Sequence, residues 1–128
     1  MPTRGDIERD IAVTIKNFLS DRMGRGPKEC RCFLIEDLAL VRYKEGLTPP
    51  EEVLARSGNG SVSSVRRFRQ EIMDASRQPL AAELQRHGGT PVRTILSDVC
   101  PETGEGMLLI IFAERPKVAS GTRKISEP

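Results

Sequence analysis

The sequence predicts an α+β fold: a two-layer sandwich in which helices cover one face of an antiparallel sheet made of two hairpins, in the order α-β-β-α-α-β-β. Three observations carry this. Apolar residues recur every three or four positions over 6–23 and 62–78, with Leu80 and Leu84 continuing the spacing, which is the period of a helix. Two pairs of short apolar runs, within 29–44 and 90–113, are each joined by a brief turn-like segment. At 128 residues the chain has the length of one domain, enough for a single core. That domain is expected over residues 1–114, followed by a disordered basic tail over 115–128, where prolines, serines and charges replace apolar periodicity.

The first helix places Ile7, Ile11, Ile15, Phe18 and Leu19 on one stripe. Thr3 and Asp6 have the spacing of a capping box, and Gly24 is the stop. Strands follow at Glu29–Ile35 and Leu38–Lys44, with Glu36-Asp37 as a two-residue turn. That turn pairs residues whose numbers sum to 73. Arg31 then faces Arg42, Phe33 faces Leu40 and Ile35 faces Leu38, while Cys32, Leu34, Ala39 and Val41 lie on the other side and Tyr43 stands across from Cys30.

A short helix starts at Thr48-Pro49-Pro50-Glu51, where Thr48 is the cap, proline occupies the first helical position and Glu51 closes the box. It ends before Ser57-Gly58-Asn59-Gly60-Ser61, which reads as the most flexible internal stretch. The next helix buries Val62, Val65, Phe68, Ile72 and Ala75, kinks at Pro79, and carries Leu80 and Leu84 to Gly88-Gly89. Thr90–Val99 and Gly106–Ala113 form the second hairpin around a Cys100–Glu105 loop. The unbroken apolar run of the last strand predicts a central position with both faces buried.

Charge narrows the function classes. Of 20 Lys and Arg against 18 Asp and Glu, four cations and two acids lie in 114–128, leaving sixteen of each in 1–113. A neutral body disfavours a nucleic-acid partner. The longest apolar run, 107–113, is far below the ~18 residues of a membrane span, and Met1–Arg9 lacks the apolar stretch of a signal peptide. The expectation is a cytoplasmic protein with no direct membrane insertion. Three cysteines, Cys30, Cys32 and Cys100, and one histidine, His87, lack the spacing of a metal site, so neither metal nor cofactor is expected. His87 reads as a cation beside a helix C-terminus. Phosphate-loop, dinucleotide, zinc-protease and nucleophile-elbow motifs are absent from the sequence, and the expectation is no enzyme.

Two basic groups remain as candidate sites. Arg31 directly opposite Arg42 costs energy unless an anion or carboxylate lies between them. Arg25, Gly26 and Lys28 stand nearby on a Gly-Pro loop, so Arg25, Gly26, Lys28, Arg31 and Arg42 together make a seat for bicarbonate, phosphate or a nucleotide. The alternative is that the protein's own acids, Glu29 or Glu45 among them, neutralise these cations. The second group is Arg66, Arg69 and Arg77, a shoulder beside the apolar stripe that reads as a partner or RNA surface, or else as a solvated helix face. Self-association through an exposed sheet face or edge is a further reading.

The run Gly24-Arg25-Gly26-Pro27-Lys28-Glu29, then Arg31, then Val41-Arg42-Tyr43-Lys44-Glu45-Gly46-Leu47-Thr48-Pro49, resembles the MpsC-like bacterial family. The likeness covers roughly residues 5–114. It implies a small cytosolic accessory or regulatory protein without catalysis, associated with a membrane-transport component in inorganic-carbon uptake or membrane energisation. It also implies that Arg25, Gly26, Pro27, Arg31 and Arg42 belong to a functional surface.

Overall fold

The computed structural model describes residues 1–58 and 61–119. Three helices and one four-stranded antiparallel sheet follow in the expected order: α1 (Arg4–Met23), β1 (Lys28–Ile35), β2 (Leu38–Lys44), α2 (Pro49–Ser57), α3 (Ser61–Gly88), β3 (Val92–Val99) and β4 (Gly106–Phe112). The strands are ordered β1-β2-β4-β3, so the two hairpins join through β2 and β4 into one sheet.

Local chemistry sets the element ends. Thr3 Oγ1 accepts from the Asp6 N–H while an Asp6 oxygen accepts from the Thr3 N–H, closing the capping box of α1. Gly24, at φ 77°, donates its N–H to Ser20 O and ends the helix. The first hairpin turn uses Glu36 at φ 54°, a left-handed conformation usually supplied by glycine or asparagine. The sum-of-73 register holds from Arg31↔Arg42 to Ile35↔Leu38. It breaks at a bulge near Glu29 (φ 51°), beyond which Lys28 pairs with Lys44.

α1 packs on β1 and β2, α3 packs on β3, and the two helices touch each other. Beneath them Leu34, Ala39, Val41, Ile95, Leu108, Ile110 and Phe112 join Ile7, Ile11, Ile15, Leu80 and Leu84 in the main core. Each large apolar side chain buried this way contributes about 1.5–3 kcal/mol. A second cluster, Leu47, Val65 and Val99, seats the α2 end of the molecule.

Three expectations about these elements need correction. β4 is central but buried on one face only: Leu108, Ile110 and Phe112 point into the core, whereas Met107 is 50% exposed and Leu109 and Ile111 are half-buried. The helices cover a single face, so the other side of a central strand meets no second layer among the described residues. α3 passes through Pro79 as one helix, but its buried stripe is Val65, Met73, Ser76, Leu80 and Leu84. Phe68 is 45% exposed, Ala75 is exposed and Ile72 is half-buried. The stripe runs through polar residues whose partners lie on other elements, so hydropathy alone selects positions one residue too early. The third strand starts at Val92 rather than at Thr90, whose buried hydroxyl accepts from the Glu114 N–H.

The tail expected over 115–128 begins as ordered chain. Arg115 pairs with Glu36 at 3.1 Å, Pro116 is buried, Val118 packs on the core, and the Ala119 N–H donates to Pro2 O. The rest of that tail lies outside the described residues, as do Asn59 and Gly60 of the expected flexible stretch.

Candidate functional site

Side chains alternate across a sheet, so the face opposite the helices is set by the register. Cross-strand pairing arranges it in three rows. The first is Arg31–Arg42–Met107–Asp98, the second Phe33–Leu40–Leu109–Leu96, and the third Ile35–Leu38–Ile111–Thr94. Seven of the eight positions in the second and third rows are apolar. Leu96 is 56% exposed, and the others are half-buried. The result is an apolar outer face across all four strands with a charged rim at one end. At that rim Arg42 and Met107 form one wall of a cleft of about 540 Å³, closed by Val62, Arg66 and the loop from Cys100 to Glu105.

The five residues of the expected anion seat do not converge. Arg25 donates to Leu47 O at 3.3 Å and pairs with Glu52 at 3.7 Å, at the start of α2. Gly26 follows in the connecting loop, with Ser20 beneath it. Lys28 pairs with Glu45 at 3.5 Å, and Arg42 with Glu105 at 3.8 Å. Arg31 forms no ion pair among the described residues. Arg25, Arg31 and Arg42 line three different clefts. What survives of the expected seat is the Arg31–Arg42 opposition, now seen at the edge of an apolar surface.

The Arg66, Arg69 and Arg77 group is engaged within the fold. Arg66 clasps Asp98 with both ends of its guanidinium, at 3.0 and 2.5 Å, and Arg77 donates to Ile95 O at 2.6 Å and to Asp74 at 3.0 Å. Arg69 is no shoulder residue. Its side chain is 10% exposed, it makes two 2.7 Å contacts to the Glu51 carboxylate, and it also donates to Gly46 O. Glu51 accepts from the Thr48 N–H and hydroxyl as well, each at 2.9 Å, which completes the cap of α2. The capping spacing revealed Glu51 in the sequence. Nothing local revealed Arg69 as its partner.

The remaining reactive groups are built into the packing. Cys30 Sγ donates to Ala12 O at 3.5 Å, Cys32 is buried beneath α1, and exposed Cys100 donates to Glu102. His87 shares a 2.8 Å hydrogen bond with Thr14 and so ties α3 to α1, a role its place beside two glycines did not suggest. Among the described residues no group of three His, Cys, Asp or Glu could hold a metal ion. Among them, too, no helix is long and apolar enough to cross a membrane.

Comparison with known proteins places this geometry in a family. A family model described as "Na+-translocating membrane potential-generating system (MpsC)" matches residues 3–114, nearly the whole described body. The chain is also similar to the uncharacterized protein YbcI of Bacillus subtilis (strain 168), 27% identical over 107 residues that cover 84% of this chain and 86% of that one. No solved structure matches.

Proposed function

The chain belongs to the MpsC family, and from that premise we propose that it is a non-enzymatic, cytosolic accessory protein of a membrane-energising system that binds a protein partner through the outer face of its sheet. The supporting observation is the pair of apolar rows, Phe33–Leu40–Leu109–Leu96 and Ile35–Leu38–Ile111–Thr94, held in register on four strands. Contiguous apolar surface of this kind is rare on a protein that works alone. In this reading the membrane-spanning work belongs to the partner, and Arg31 and Arg42 orient the docking from the rim.

Cells lacking the protein provide the test, with membrane potential read by a potential-sensitive dye. The wild-type chain restores the potential. A Leu96→Lys, Met107→Lys variant that melts as the wild type does fails to restore it, because both side chains lie on the outer face. Full restoration by that variant, or an unchanged potential in the deletion strain, overturns the reading.

A second reading keeps a small anion, bicarbonate, phosphate or a nucleotide, on Arg31 and Arg42. It is favoured by Arg31, which lacks an ion pair among the described residues although it stands opposite a like charge. Calorimetry with each anion tests it. Binding that disappears in Arg31→Ala, Arg42→Ala supports it, and binding unchanged in that variant removes it.

A further inference from the structure

We infer that the occupant of the outer face is a second copy of this chain, packed sheet on sheet about a two-fold axis that runs parallel to the strands between β2 and β4. The inference rests on the docking role proposed for that face and names its partner.

The rim row carries opposite charges at its two ends, Arg31 on edge strand β1 and Asp98 on edge strand β3. A two-fold along the strands lays β1 of one copy over β3 of the other and keeps each row over itself. Arg31 then meets Asp98 of the second copy, and the same contact occurs twice. Within the apolar rows Phe33 meets Leu96, Leu40 meets Leu109, and Leu38 meets Ile111.

The other two-fold that stacks these faces runs across the strands, along the middle row. It sets both Arg31 and Arg42 against the apolar third row, whereas the strand-parallel axis gives Arg31 an acid and lays only Arg42, already paired with Glu105, against Met107. The strand-parallel axis is the self-complementary one, and it matches the aligned packing of β-sandwiches, with sheets within about 30° of each other. Arg31 gains in the dimer an acid that it lacks among the described residues. Asp98 is already held by Arg66 and retains acceptor positions for a second cation. Four strands and three rows span about 20 Å in each direction, roughly 400 Å² per copy, the size of a weak, transient interface rather than a stable one. The dimer is therefore concentration-dependent.

Sedimentation equilibrium on the full chain, from about 1 μM to about 1 mM, tests this. The wild-type mass rises from one chain toward two over that range. Arg31→Asp alone places two acids together at both contacts, and Asp98→Arg alone places two cations together. Each weakens self-association about tenfold or more. Mixing the two variants restores the dimer, because every contact in the mixed pair is again cation to acid. Arg31 has no ion pair to lose among the described residues, so its variant remains informative even if Asp98→Arg disturbs Arg66.

A wild-type chain that stays monomeric throughout, Arg31→Asp self-association equal to wild type, or a mixture that stays monomeric overturns the inference. The docking role itself stands or falls separately on the membrane-potential assay. A monomeric wild type together with a failing Leu96→Lys, Met107→Lys variant leaves that role in place with a different partner.

Discussion

Arg69 lies on the buried stripe of α3 and Glu51 meets it there from the first turn of α2, with two 2.7 Å contacts between guanidinium and carboxylate and side chains only 10% and 6% exposed. The pair joins α2 to α3, and the further Arg69 bond to Gly46 O ties both to the end of β2. Removing one member leaves a buried charge without its partner. Glu51→Gln and Arg69→Met should each cost about 3–5 kcal/mol in denaturant unfolding, and Glu51→Met with Arg69→Leu should recover most of that loss.

The same pair makes stability depend on acid. Burial alone pushes the Glu51 carboxyl up, yet hydrogen bonds from Arg69 and Thr48 outweigh it and hold the group below its ordinary 4.5. The Arg66 hydrogen bond likewise holds Asp98 below its ordinary 3.8. Because these folded values are depressed, the unfolded chain takes up protons first. Their contribution is complete above 4.5 and is lost as pH falls through the folded values. Unfolding free energy measured across that window should fall with acid, and the Glu51→Gln curve should be flatter.

Tyr43 lies over Gly106 and Gly46 so closely that a Cβ at either glycine would overlap its ring. Gly106→Ala should lower stability by about 1–3 kcal/mol. Tyr43→Leu in that background should cost less than the sum of the two single changes, the signature of direct contact in a double-mutant cycle.

Cysteine chemistry should follow burial. Desolvation, then the neighbouring Glu8 and Cys30, push the Cys32 thiol up to about 12, and burial also raises Cys30, while Cys100 is exposed. Alkylation of the folded protein should mark Cys100 first and Cys30 slowly, with Cys32 reached only on unfolding. Peptide mass spectrometry at timed intervals reads the order.

Pro79 is exposed within α3, where it supplies no N–H to the helix. Pro79→Ala should raise stability by up to about 3 kcal/mol, seen as a higher melting temperature.

Several of these features were legible in the residues themselves. The Glu36-Asp37 turn implied the Arg31↔Arg42 register, because a two-residue loop leaves a single pairing. Thr3 with Asp6, and Thr48 with Glu51, announced two helix starts through contacts only three residues apart. The buried stripe of α3 was not legible, since Arg69 and Ser76 are polar and are buried only through Glu51 and Arg22. The second face of β4 was misread for a related reason. An apolar run records that side chains avoid water, not which neighbour covers them.

The residue order alone determined the elements, their succession and the first hairpin's register, because caps, turns and periodicity act between residues a few positions apart. Tertiary structure decided that β2 pairs with β4, which aligns the three outer rows, and that Arg69 finds Glu51 eighteen residues away. Both depend on how distant segments close around one core, and no local pattern encodes that choice.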